Sequence, residues 1–329
     1  MMRFGRQRGS RSRFQRPERI TKVDLSTRVG SVVLPNPVMT ASGTAGHGAE
    51  LGRYVDLGAL GAVVVKSVSA DAWAGNPAPR VHETHGGMLN SVGLQNPGVE
   101  EWLEHELPEL AATGARVVAS IWGFTVEAYE RAAKLLHAAE GPAADAIVAV
   151  EVNLSCPNVE SRRHMFAHSA NATAEVIEAT EVLGARPRWA KLSPNVTDLT
   201  EIAVAALDAG AEAVTLINTV MGLAIDPVTR RARLGNGGGG LSGSAIHPVA
   251  VRAVADVHAA RPDAVIVGVG GVSSGEDAVE LLLAGASAVQ VGTATFLDPR
   301  ATERILRELA DWCDDQGVRS TRELIGGAG

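Results

Sequence analysis

The sequence predicts an α/β protein of the (β/α)8 TIM-barrel class, and three observations predict it. Eight short aliphatic runs end in small or polar residues, and helical spacing follows the clearest of them. A signature of helix end, glycine, then strand recurs at 56–63, 208–214 and 283–289, as where a glycine C-cap turns the chain back into a strand. The composition agrees: 46% hydrophobic but only 4% aromatic, with 36 glycines, implies a Val, Ala, Leu and Ile core cut by tight turns, the make-up of buried parallel strands.

The elements follow in order. Residues 1–20 are set apart as an Arg-rich tail, with seven arginines and one glutamate in the first 19 positions. Its +6 against a total of −7 leaves the rest of the chain at −13. The tail lacks the apolar stretch of a secretory signal, and it reads as disordered or as a contact for an acidic partner. LSTRVGSVVLPNPV (25–38) predicts a short N-terminal β-hairpin. The barrel strands are then placed in 37–43, 62–70, 116–123, 146–156, 188–195, 213–219, 264–271 and 288–296. Apolar residues at i, i+3, i+4 and i+7 mark helices at 127–139 and 199–211. Two long insertions, 71–100 and 220–246, are expected as loops over the C-terminal face. One domain is expected over 21–315, with a tail at 316–329. A doubly wound sheet is the alternative, but it more often has five or six strands.

Two cysteines, Cys156 and Cys313, are too few for a disulfide framework, a zinc site or an iron–sulfur cluster, so no metal is expected. Reduced thiols suggest a cytoplasmic protein. No stretch approaches the roughly 18–20 apolar residues of a membrane span, and neither a membrane nor a nucleic acid is expected as a partner.

Barrel chemistry sits at the C-terminal ends of the strands. Those ends carry Ser42, Lys66, Ser67, Ser120, Asn153, Cys156, Lys191, Asn218, Thr219, Gly270, Gly271, Gly292 and Thr293. The glycines at 270–271 and 292 end the last two strands, where barrels often bind phosphate through exposed N–H groups, though glycines also serve as plain turns. GNGGGGLSGSAIHP (235–248) adds a third glycine-rich segment with Gly243 before a helix. Lys66 and Lys191 are costly to bury unless anions face them; the reduced ring of a flavin would be one such anion. Asn90, Asn153, Asn158 and Asn218 each present one acceptor and two donors, which suits a ligand edged with C=O and N–H, or a turn. Cys156 stands past its strand, before Pro157. It reads as a nucleophile without an evident partner or as a general base for carbon-bound protons.

In this order, NPVMTASGT, KSVSADAWAGNPAPRVHET, MLNSVGLQNPG, VEVNLSCPN, KLSPN, LINT, GGLSGSAIHP, GVGGVSS and VGTATF resemble the class 1 dihydroorotate dehydrogenases, most of all class 1B, over residues 22–300. The resemblance implies an FMN-binding barrel that oxidises dihydroorotate to orotate in pyrimidine (UMP) biosynthesis. Cys156 would take the C5 proton. Lys66, Asn90, Gly93, Leu94, Asn153, Asn158, Asn218 and Thr219 would hold the substrate. Ser42, Lys66, Ser67, Ser120, Asn153, Lys191, Ile217, Gly243, Gly270, Gly271, Gly292 and Thr293 would hold FMN. Class 1B further implies a catalytic homodimer inside a heterotetramer, with FAD and a 2Fe–2S cluster on a partner subunit that reduces NAD+. Class 1A would instead be a homodimer reducing fumarate. Class 2 is disfavoured, because it has serine in place of Cys156.

The sequence departs from the family at three places. VESRRHMFAHSANATAEV (159–176) replaces a usually glycine-rich flap over the active site. Ser120 stands where many relatives have asparagine, and His247 where lysine is usual. Two further readings remain: a dihydropyrimidine dehydrogenase-like flavin enzyme, and a barrel that binds FMN or phosphate without turnover.

Overall fold

The computed structural model describes residues 23–155 and 165–328. The expected Arg-rich tail, Cys156 and Asn158 lie outside the described residues. In chain order the strands are β1 (Thr27–Val29), β2 (Val32–Leu34), β3 (Val38–Thr40), β4 (Val63–Val64), β5 (Val81–Thr84), β6 (Gly87–Asn90), β7 (Val117–Ile121), β8 (Ile147–Asn153), β9 (Arg188–Lys191), β10 (Ala213–Leu216), β11 (Val220–Gly222), β12 (Gly239–Ser242), β13 (Ile266–Val269) and β14 (Ala288–Val291).

Eight of these form one parallel sheet in the order β3-β14-β13-β10-β9-β8-β7-β4. Met39 bridges Ala62 in parallel, with Gly61 N–H donating to Val38 O at 2.9 Å, and this joins the two edge strands into a ring. Every barrel strand falls inside a run expected from sequence. Most of their positions are Val, Ala, Leu or Ile because a parallel sheet is covered on both faces.

The longer helices outside the ring are α1 (Val126–His137), α2 (Ala170–Ala179), α3 (Leu199–Asp208), α4 (His247–Ala260), α5 (Gly275–Ala284) and α6 (Ala301–Gln316). Thr125, Ser169, Asp198 and Ser274 start α1, α2, α3 and α5 by accepting backbone N–H bonds at their N-termini. Between β3 and β4 the helix is replaced by two short 3-10 turns, Glu50–Arg53 and Leu57–Ala59. Glycines 46, 48, 52 and 58 crowd that segment and make a longer helix unfavourable.

The hairpin β1–β2 closes the bottom of the barrel. Val29, Val32 and Leu34 pack with Met39, Val64, Val118, Trp189 and Val267 in a cluster separate from the main core. Residues 317–328 dock on the body. Asp24 pairs with Ser320, and Gly326 N–H donates to Leu282 O at 3.1 Å.

The two insertions are more ordered than the loops the sequence suggests. They build one antiparallel sheet, β11-β12-β6-β5, over the C-terminal face. Each insertion supplies two strands, and β6 pairs with β12 across the two, so Asn90 stands opposite Gly240. Such a long-range ladder leaves no local period in the sequence.

Candidate active site

A cavity of about 480 Å³ opens at the C-terminal ends of the barrel strands, roofed by the insertion sheet. Its lining includes Ser42, Lys66, Ser67, Asn90, Gly93, Leu94, Asn153, Lys191, Ile217, Asn218, Thr219, Gly243, Gly270, Gly271, Gly292 and Thr293. These are the described residues singled out from sequence, with one exception. Ser120 is fully buried behind the wall, 2.8 Å from Ser67 Oγ and 3.3 Å from Ser42 Oγ. It supports the two lining serines.

A chain of polar groups crosses the floor. Ser42 and Ser67 hydroxyls lie 3.1 Å apart. Asn153 Nδ2 donates to Ser67 Oγ at 3.3 Å, and Asn218 Nδ2 donates to Asn153 Oδ1 at 3.3 Å. Asn218 Oδ1 in turn accepts from Thr219 N–H at 2.8 Å. Tyr129 of α1 fixes the end of β8 by donating to Asn153 O at 2.6 Å. The ends of four strands, β3, β4, β8 and β10, thereby hold their side chains in one hydrogen-bonded row.

The two lysines differ. Lys191 Nζ lies 3.4 Å from Glu151 Oε1 and 3.3 Å from Gln290 Oε1, while Gln290 Nε2 donates to Glu151 Oε2 at 2.7 Å. Glu151 and Gln290 are fully buried, so the anion that the buried lysine requires comes from inside the barrel. Sequence reasoning missed Glu151. The signal was a single carboxylate in an otherwise aliphatic strand. Lys66 forms no ion pair with a carboxylate among the described residues, and burial, then the charge of Arg80, pushes its ammonium below the usual lysine range. Among the described residues it is the cavity cation available to an anionic ligand.

The roof is tied by residues not singled out from sequence. Asn96 Oδ1 accepts from Ser69 N–H and Gly98 N–H, and its amide donates to Leu94 O at 2.9 Å. This holds Leu94 at a positive φ of 61° beside Gly93. Asn76 Nδ2 donates to Ser91 Oγ at 2.9 Å, and Arg80 Nε donates to Asn76 O at 2.6 Å. Trp73 and Phe124 line the mouth with ring centroids 5.1 Å apart. Within 159–176, the segment expected as a flap, Met165 lines the cavity. Phe166 and Ala167 are buried against the core, and α2 begins at Ala170, so the described part of that stretch belongs mostly to the barrel wall.

At the far end of the cavity are glycine edges suited to a phosphate. Gly270 and Gly271 have φ of +137° and +72°, and a Cβ on either would approach Ala250 or His247 to 2.7 or 2.6 Å. Thr293 Oγ1 donates to Ser242 Oγ at 2.8 Å beside Gly292. A flat ring could therefore rest on the polar row with its phosphate at the glycine end. No His/Cys/Asp/Glu cluster fit to hold a metal occurs among the described residues, and no helix among them is long and apolar enough to cross a membrane.

Comparison with known proteins agrees with this arrangement. The dihydroorotate dehydrogenase family model matches residues 24–312. A catalytic subunit of dihydroorotate dehydrogenase B (NAD+) from Alkaliphilus metalliredigens is 46% identical over 93% of this chain and 99% of its own length. The protein of the same name from Geobacter sp. strain M21 is 46% identical over 92% of this chain and 97% of its own length. That from Geobacter sulfurreducens is 45% identical over 93% and 98%.

Proposed function

The chain belongs to the dihydroorotate dehydrogenase family, and on that premise we propose that it oxidises dihydroorotate to orotate in cytoplasmic pyrimidine biosynthesis, with FMN bound in the cavity and Cys156 as the base. The observation that carries the reading is the convergence on one cavity of the Lys66 ammonium, the serine–asparagine row and the glycine edges of β13 and β14. The residues present fit FMN: the glycines leave no room for side chains where a phosphate would lie, and Lys66 offers a cation without a carboxylate partner among the described residues.

When bound, FMN would supply a two-electron acceptor for the hydride leaving C6 of dihydroorotate. The protein's part is positioning and proton removal. The Cys156 thiolate takes the C5 proton, which leaves the electron pair to form the C5=C6 double bond and later passes from sulfur to solvent. Asn90, Asn153, Asn158 and Asn218 orient the pyrimidine through its alternating C=O and N–H edge, with Gly93, Leu94 and Thr219 beside it. Lys66 faces the negative charge shared by flavin and substrate. Ser42, Ser67, Lys191, Ile217 and Gly243 complete the flavin wall, with Ser120 supporting the two serines from behind, and Gly270, Gly271, Gly292 and Thr293 receive the phosphate.

The relatives' names speak of a catalytic subunit and of NAD+, which supports a partner electron-transfer subunit; the class 1B resemblance adds the expectation of a homodimer within a heterotetramer. That partner would bring FAD and the 2Fe–2S cluster, because two cysteines cannot ligate one. Co-purification from native extract tests this: a flavin- and iron-bearing subunit that confers NAD+ reduction supports it, and a homodimer that reduces fumarate refutes it. For the chemistry, Cys156→Ala is expected to keep FMN but slow its reduction by dihydroorotate roughly 10²–10⁴-fold. Reduction at the unsubstituted rate would overturn the base assignment.

A further inference from the structure

We propose that Asn195 is a positioning residue: its carboxamide pins the start of the second insertion to the barrel and so sets Thr219 against the pyrimidine. The inference rests on the dihydroorotate reading above and goes beyond it to a residue that has no role there.

Asn195 closes the KLSPN segment (191–195) at the end of β9. Its Nδ2 donates to Thr219 O at 2.9 Å and to Ser193 Oγ at 2.9 Å. Its Oδ1 accepts from Met221 N–H at 2.8 Å. These partners fix the orientation of the amide. Turned about, it would set an N–H against the Met221 N–H and an oxygen against the Thr219 carbonyl. Asn195 lines the cavity, yet both its N–H groups are spent on the protein, so it has no donor left for a ligand.

The two backbone groups that it takes flank Val220, the first residue of β11. A C=O and an N–H so spaced point to one edge of an extended chain, and a carboxamide meets them as a neighbouring strand would. The pin is itself held. Ser193 is buried, and its Oγ accepts from Asn195 N–H at 3.2 Å as well as from the amide. Pro194 between them fixes its own φ. Asn218 N–H donates to Leu192 O at 2.8 Å, so the same segment also carries the residue before Thr219. On its other side Thr219 meets β12, where a Cβ on Gly240 would stand 2.0 Å from its Oγ1. Thr219 is therefore gripped between the segment after β9 and the insertion sheet. Loss of the amide frees its carbonyl and lets β11 draw away from the barrel.

The test measures orotate affinity of the FMN-loaded full-length protein through the change in flavin absorbance on binding. Asn195→Ala should weaken orotate roughly tenfold, the worth of one or two hydrogen bonds, with flavin content unchanged. Thr219→Ala should weaken it too. The double variant should lose little beyond Thr219→Ala alone, because the two residues act through one contact. Asn195→Asp, of nearly the same shape, keeps an acceptor for Met221 and loses the donor to Thr219, so it should weaken orotate in the same direction. Unchanged affinity in either Asn195 variant, or losses that add in the double variant, would overturn the proposal. Hydrogen exchange of the Met221 N–H in the ligand-free protein gives a second readout. Asn195→Ala should speed it roughly tenfold and Asn195→Asp should leave it slow. Unaltered exchange in Asn195→Ala would overturn the pin whether or not orotate binds. Failure of the unsubstituted protein to bind FMN or orotate, with the exchange altered as expected, would instead refute the dihydroorotate reading alone.

Discussion

Lys191 illustrates how a residue can answer a physical requirement with a partner remote in sequence. A buried ammonium needs an anion, and Glu151 of the adjacent strand supplies it, with Gln290 bridging. Removing one member of a buried pair leaves the other uncompensated, so Lys191→Met should destabilise the fold by roughly 3–5 kcal/mol. Adding Glu151→Gln should recover part of that loss in urea unfolding; an unfolding midpoint unchanged by Lys191→Met would refute the pairing. Lys66 behaves differently, because burial and then Arg80 lower its proton affinity. It attracts an anionic ligand while protonated, so dihydroorotate affinity should fade on the alkaline side at a lower pH than an ordinary lysine would set. Lys66→Met should bind weakly throughout, with that limb absent from a titration of substrate affinity. At Cys156 the proposed base predicts that Cys156→Ser keeps some flavin reduction, displaced to higher pH, since a hydroxyl ionises far less readily than a thiol; a pH–rate profile superimposable on that of the unsubstituted enzyme would refute it.

At the scale of elements, the roof over the cavity depends on two segments that pair only with each other. A Cβ at Gly240 would stand 2.0 Å from Thr219 Oγ1, so β12 lies against the loop after β10 with no space for a side chain. Gly240→Val should displace Thr219 and raise the KM for dihydroorotate about tenfold or more, as expected when a positioning group shifts. An unchanged KM would show that Thr219 does not position substrate. Strands and turns were legible because each depends on neighbours a few positions away: the helix that Asp198 starts shows its own apolar period from 199 onward. The insertion sheet was not legible, because Asn90 meets Gly240 across 150 positions and neither segment shows a strand period of its own. Glu151 was visible as an oddity in an aliphatic run, but its partners on β9 and β14 were not.

Over the whole molecule, pH couples to stability through His47, beside the site but outside its lining. Burial, then the Lys66 charge, pushes its imidazole down to about 4 from an ordinary 6.5. The folded ring stays neutral while the unfolded chain takes a proton, so stability is full above about 6.5 and falls as pH drops toward 4. The loss is at most about 3 kcal/mol. Glu106 works in the other direction, since burial and the charges of Glu50, Glu101 and Glu109 raise its carboxyl. Comparing thermal midpoints of the unsubstituted protein and His47→Gln across this range isolates the histidine. A parallel pair of curves would refute the assignment.

By itself the sequence determined the barrel, the short N-terminal hairpin, the rim on which the polar residues gather and the family to which the chain belongs. Each of these rests on local period, turn chemistry or contiguous motifs. Only the tertiary structure decided which charges meet. Lys191 faces Glu151, Lys66 has no carboxylate partner among the described residues, and His247 stands between a glycine loop and two carboxylates. Charge pairing acts through space over a few ångströms, and closing the barrel brings together side chains far apart in sequence, 139 positions in the case of Glu151 and Gln290.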